Sequence, residues 1–363
     1  RYVSTYTVSD VGGEPAANFM NIGNRDITWE TNANFNTGIE FELFDRRLSG
    51  SIEYYNRTTL DLLFQRPVPE SAGYRTYWAN IGDMRNHGVE IDLRGTVVRR
   101  KDLNVTLFAN FTSNTSKILK LPVERITEDD FGRKLNGFDS DGYWYGEGDP
   151  LYTWYMQKYA GVNEKGQSMW YVDKKDTNGN IYTTTTTAYT EASKYKCETA
   201  LPKGYGGFGT SIYFKGIDFS ISFDYQIGGL VYDSGYANLM SPFSDKTGTA
   251  RHKDLLMAWS PERTSSNIPR FQYLDQNVAS TSDRFLIDAS YLNLGNINLG
   301  YTFPAKLTNK IKLNTVRMYC VAENIKYWSK RKGLDPRQNF NGSTTYVAYS
   351  PIRTISGGLQ ITF

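Results

Sequence analysis

The residues of this 363-residue chain that could do chemistry are few and scattered. Gly204-Tyr205-Gly206-Gly207-Phe208-Gly209 satisfies G-x-G-x-x-G, the spacing that brings backbone N–H groups and a helix N-terminus against a pyrophosphate. That chemistry requires a strand before the motif and a helix after it. Here Thr199-Ala200-Leu201-Pro202-Lys203 precedes and an alternating pattern follows, so the glycines read as places where a strand bends and aromatic rings pack closely. Asp173, Asp176, Asn178 and Asn180 around Gly179 loosely resemble a calcium loop, without the EF-hand spacing or a closing glutamate; a polar turn is the first reading and loop calcium the alternative. His87 and His252 have no Cys, His or carboxylate at metal-ligand spacing. Cys197 and Cys320 make no disulfide framework and read as unpaired thiols. With no G-x-S-x-G elbow and so little triad material, no catalytic, cofactor or metal residue is assigned, and the chain does not read as an enzyme.

A stronger signal for binding lies between residues 117 and 204. Tyr143, Trp144, Tyr145, Trp154, Tyr155, Trp170 and Tyr171 are interleaved there with Asp139, Asp141, Glu147 and Asp149. Flat aromatic faces bordered by carboxylates suit sugar rings, whose C–H faces stack while their hydroxyls find acceptors. They also suit a peptide, a partner protein, or ordinary packing within a loop.

The elements that must position these residues are strands. Tyr 27, Phe 19 and Trp 7 make 53 aromatics, and Gly adds 32; with a mean hydropathy of −0.52 this fits β-structure rather than helical bundles. The net charge of +3 disfavours a nucleic-acid partner. No stretch approaches the ~18 consecutive apolar residues of a transmembrane helix, whereas a transmembrane strand needs only about 9–11 alternating ones. The chain opens Arg1-Tyr2-Val3-Ser4-Thr5 without a basic n-region or apolar h-region, and is read as mature or a piece of something longer.

Period-two alternation is strict over 218–228, where Phe219, Ile221, Phe223, Tyr225 and Ile227 oppose Asp218, Ser220, Ser222, Asp224 and Gln226. It recurs over 354–363 and, less perfectly, over 35–44, 48–57, 87–98, 103–116, 205–214, 289–303 and 313–325, making nine strands. The connections alternate without exception between short ones and long ones at about 58–86, 117–204, 229–288 and 326–352, with residues 1–34 the tail of another long loop. Bacterial outer-membrane barrels have this asymmetry; a sandwich gives no reason for it. Nine is odd and an open sheet leaves two edges that lipid does not tolerate, so the expectation is an all-β, transmembrane antiparallel β-barrel that this chain supplies only in part.

The motifs sharpen that expectation. Asn24-Arg25-Asp26-Ile27-Thr28-Trp29-Glu30, Ser51-Ile52-Glu53-Tyr54-Tyr55-Asn56-Arg57, Asn80-Ile81-Gly82-Asp83-Met84-Arg85-Asn86-His87-Gly88-Val89-Glu90, Asp283-Arg284-Phe285-Leu286, Leu299-Gly300-Tyr301-Thr302-Phe303-Pro304 and Lys332-Gly333-Leu334-Asp335-Pro336 resemble the SusC/RagA family of TonB-dependent outer-membrane transporters of Bacteroidetes, over essentially the whole chain. The resemblance implies a barrel of about 22 strands with a plug in its lumen, of which these nine would be the C-terminal ones, and a TonB box ahead of the plug. It implies as partners a SusD-like surface lipoprotein, TonB acting through the plug, outer-membrane lipid, and an oligosaccharide or peptide cargo. Neither plug nor TonB box is found in this chain.

Import of glycans is the first expectation, because the family often handles them; oligopeptide import, or a passive or structural barrel without energy coupling, are the alternatives. Trp78, Tyr327 and Trp328 fall near strand ends, where an aromatic belt is expected. Phe363, ending an alternating last strand, resembles the signal read by outer-membrane assembly machinery.

Overall fold

The computed structural model describes residues 2–68, 71, 76–80, 82–121, 127–242, 250–273, 275–345 and 350–363. Parts of the four expected loops, and Ile81 of one motif, lie outside these. Nine strands form one antiparallel sheet in chain order: β1 (Thr31–Leu43), β2 (Leu48–Leu60), β3 (Asp83–Arg100), β4 (Leu103–Lys120), β5 (Gly204–Phe214), β6 (Ile217–Ile227), β7 (Tyr291–Thr302), β8 (Thr315–Ser329) and β9 (Thr354–Thr362). β1 and β9 are the edges, so the sheet is a partial barrel and does not close on itself.

Where alternation is strict the observed bounds fall within a residue of those expected, as in β6 and β9. The expected strands at 87–98 and 103–116 extend to 18 residues each. Two features hide the extra length: a bulge between Thr96 and Val98 breaks the phase, and the polar stretch Ser113-Asn114-Thr115-Ser116 gives no alternation to read. The glycine-rich hexad lies wholly inside β5. It is followed by the β5–β6 turn and another strand, so it has no helix N-terminus to offer a nucleotide.

Side chains alternate between two unlike faces. On one, Ile39 of β1 is 70% exposed, Leu299 of β7 51% and Leu359 of β9 59%, with Ile52, Leu93, Leu107 and Phe208 exposed on strands between. An apolar band this continuous is untenable in water and suits hydrocarbon. The other face carries Tyr55, Asn114, Tyr205, Gln226 and Asp224.

The long connections have structure of their own. Residues before β1 form a hairpin of Thr5–Val11 and Glu14–Asn21, and Leu63–Pro67 pairs with Thr76–Asn80. The β4–β5 connection folds into a four-stranded sheet (Gly137–Ser140, Tyr143–Gly146, Thr153–Gln157, Lys194–Thr199) and a three-stranded one (Tyr159–Val162, Ser168–Lys175, Ile181–Thr186). The β6–β7 connection contributes helix α1 (Ser234–Met240), capped by Asp233, whose side chain accepts from the Tyr236 N–H.

Candidate functional site

Of the seven aromatics of the β4–β5 connection, Tyr143, Trp144, Tyr145, Trp154 and Tyr155 divide between the faces of the four-stranded sheet, and Trp170 and Tyr171 lie in the three-stranded one. Tyr143 and Trp154 are register partners with ring centroids 4.5 Å apart, and both are buried. Tyr143 donates its hydroxyl to the Asn341 carbonyl (2.7 Å) and Trp154 Nε1 donates to the Leu230 carbonyl (3.1 Å). These bonds tie three separate connections into one body. Burial holds the Tyr143 hydroxyl well above the usual phenol range, so it remains a donor.

On the opposite face Trp144 and Tyr155 pack at 5.1 Å. Trp144 Nε1 donates to Asp149 Oδ2 (2.8 Å), as does Lys196 Nζ (2.9 Å). With Lys134, Asn136 and Glu147 they line a cavity of about 340 Å³. Tyr145, half-buried, stacks on Phe138. Trp170 is fully buried, edge-on to Tyr159 and Tyr189, and Tyr171 is half-buried under Lys158 Nζ. Tyr143, Trp144, Trp154 and Trp170 are therefore buried in the loop body, and Tyr145, Tyr155 and Tyr171 are half-buried nearer its surface.

The turn at 176–180 uses its own polar groups. Asp176 Oδ1 accepts from the N–H groups of Asn180 (2.7 Å) and Asn178 (2.9 Å), which holds its carboxyl below the usual range. Asp173 Oδ1 accepts from Thr183 and Tyr195. Among the described residues no three His, Cys, Asp or Glu side chains gather as a metal site. His252 Nδ1 accepts from the Asp254 N–H and His87 lies within β3. Both cysteines are free, and burial, with the Asp283 carboxylate, pushes the Cys197 thiol up to about 11. Of the expected belt, Trp328 lies on the apolar face; Tyr327 instead faces inward beneath the Arg337 guanidinium, and Trp78 belongs to a loop hairpin.

A second constellation, unread in the sequence, lies on the polar face at the long-loop end. Register brings Tyr205 opposite Thr112 and Gln226, and Gln226 opposite Tyr291. Tyr55 donates to Asn114 Oδ1 (2.9 Å). A cavity of about 570 Å³ runs along Asn34, Asn36, Glu53, Tyr55, Arg57, Asn86 and Glu90 to Asn114 and Tyr205. Another, of about 410 Å³, continues from Asn114 and Tyr205 past Gln226 and Tyr291 to Arg337, Asn339 and Phe340. Arg337 is fixed by a bidentate pair with Asp335 (2.8 and 2.7 Å) and lies over Tyr291. The Tyr205 side chain makes no hydrogen bond among the described residues, and the residue is 45% exposed. The result is a continuous track of amides, phenols and charges, suited to holding a polar chain by stacking and hydrogen bonds. The available signal was a set of tyrosines in the polar phase of the strands, but which of them share a row depends on register.

The family described as TonB dependent receptor-like, beta-barrel, matches residues 2–195. TonB-dependent receptor P3 of Formosa agariphila is 27% identical over 394 residues, covering 100% of this chain and 37% of the relative. TonB-dependent receptor SusC of Bacteroides thetaiotaomicron is 27% identical over 339 residues, covering 86% of this chain and 30% of SusC. Among solved structures, the RagAB peptide transporter superposes with a TM-score of 0.83 at 27% identity, covering 100% of this chain and 38% of that one. The chain thus spans well under half the length of these relatives.

Proposed function

From the premise that this chain belongs to the TonB-dependent receptor-like β-barrel family and is of SusC/RagA type, we propose that it is the C-terminal share of an energy-coupled importer of oligosaccharides. The protein resides in the bacterial outer membrane, as the family's barrels do. On this reading further strands close the barrel, a plug outside this chain fills the lumen and is pulled by TonB, and a SusD-like surface lipoprotein delivers cargo onto the long loops.

The observation that carries the cargo assignment is the inward-facing track through Tyr55, Asn114, Tyr205, Gln226 and Tyr291. Its exposed ring at Tyr205 offers a stacking face for a sugar, and the flanking amides match hydroxyls. Tyr155, Tyr145 and Tyr171, with the buried Trp144 lining the cavity beside Tyr155, are proposed as loop contacts for cargo or lipoprotein; Tyr143, Trp154 and Trp170 hold the body that presents them. Phe363 is proposed as an assembly signal.

A second reading, import of oligopeptides, is favoured by the likeness to the RagAB peptide transporter and by charges of both signs along the track, Arg57 and Arg337 against Glu53 and Glu90. Titration calorimetry of the purified full-length protein with its lipoprotein separates them. Heat from a neutral oligosaccharide but not from mixed oligopeptides supports the first; the reverse result replaces it with the second.

A further inference from the structure

The charge of this chain is concentrated at one rim. Arg46 and Arg47 stand in the β1–β2 turn, and Arg99, Arg100 and Lys101 at the β3–β4 turn. Lys215 makes the β5–β6 turn; Lys306, Lys310 and Lys312 stand in the β7–β8 connection. Against these nine cations the turns and the strand ends beside them hold Asp45, Asp102, Glu42 and Asp218, a net of +5 where the whole chain is +3. The remainder of the chain is therefore net negative, and the rim's excess is not a property of composition.

Nearly all of this charge is available. Every one of the nine cations is exposed, and among the described residues only Arg46 of these forms an ion pair, with Glu42 at 3.1 Å. Arg99 donates to the carbonyls of Asp45 (3.1 Å) and Arg46 (3.2 Å), which holds the first two turns together. Uncompensated like charges at this density repel one another unless an anionic partner lies against them.

The same rim is apolar on its membrane side. The β7–β8 connection exposes Leu307 (54%) and Ile311 (65%) among its lysines. Between the two strands it joins, Leu299, Tyr301, Met318 and Cys320, with Ile217 of the neighbouring strand, line an outward groove of about 400 Å³. Cations around an apolar groove at a membrane edge match one kind of ligand, an amphiphile with an anionic head.

We propose that the short-turn rim is a binding surface for anionic glycerophospholipids of the periplasmic leaflet. The headgroup phosphate lies among Lys306, Lys310, Lys312 and Lys215, and an acyl chain lies along the groove between β7 and β8. Short turns face the periplasm in barrels of this kind, which selects phospholipid over the surface leaflet's lipid A. The assignment rests on the barrel and not on its cargo.

The test is electron spin resonance on the full-length protein in phosphatidylcholine vesicles, using spin-labelled phosphatidylglycerol and phosphatidylcholine as probes. At about 10 mM salt the motionally restricted fraction is expected to favour phosphatidylglycerol by about threefold or more, and to approach parity at about 1 M. The combined K215Q/K306Q/K310Q/K312Q variant is expected to lose the preference while remaining a heat-modifiable barrel. Equal association of both probes at low salt overturns the proposal, as does displacement by lipid A in preference to unlabelled phosphatidylglycerol. If the variant does not assemble, the salt dependence of the unmodified protein decides alone.

Discussion

The Tyr55 hydroxyl on β2 donates to Asn114 Oδ1 on β4 at 2.9 Å, reaching across the intervening β3. It passes there because position 88 is Gly: a Cβ at Gly88 would stand 2.7 Å from Tyr55 Oη and collide with the Ser113 carbonyl. Gly88→Ala is therefore expected to lose about 1–3 kcal/mol and to open the inward-facing track. A lowered temperature of heat modification of the full-length barrel on gels checks this; an unchanged temperature would show that the strands spread without cost.

Tyr143→Phe removes the hydroxyl that binds the Asn341 carbonyl and leaves the ring packing in place. The loss is about 1 kcal/mol, local to the loop body. Hydrogen exchange is expected to quicken around residues 339–344 and in the Tyr143–Gly146 strand, with the barrel strands unaffected. Exchange unchanged at both places would count against the loops acting as one body.

The Cys197 thiol, held up to about 11 by burial and the Asp283 carboxylate, stays protonated at neutral pH, and the thiolate is the reactive form. In a Cys320→Ser background, iodoacetamide labelling of Cys197 is expected to be very slow at neutral pH and to rise as pH approaches 11. Ready labelling at neutral pH would contradict the packing assigned to this residue.

Removing residues 361–363 deletes the alternating end of β9 and the terminal Phe363, which is 85% exposed. If that end is read during assembly, outer-membrane levels of the full-length protein fall while synthesis continues. Unchanged levels would reduce Phe363 to an ordinary strand end.

The fold was legible because lipid on one side and water on the other impose strict alternation, as the close agreement for β6 and β9 shows. Legibility failed where the pattern breaks, at the Thr96–Val98 bulge, and in the short strands of the loop body, some only four residues long. The aromatics of 143–171 were visible as a cluster, but their burial depends on Leu230 and Asn341, far away in the chain. The track through Tyr205 was illegible for a related reason. Its members lie on separate strands, and hydrogen-bond register rather than sequence proximity sets them side by side.

Binding of an imported oligosaccharide by the inward-facing track is tested by uptake. A deletion strain is supplied with defined labelled oligosaccharides and oligopeptides, and complemented with the full-length protein or its Tyr205→Ala variant. Deletion is expected to abolish uptake of at least one oligosaccharide, the full-length protein to restore it, and Tyr205→Ala to lower it about tenfold at equal outer-membrane levels, as loss of one stacking contact would. Undiminished uptake of every oligosaccharide by the deletion strain, or a requirement confined to peptides, would contradict this assignment.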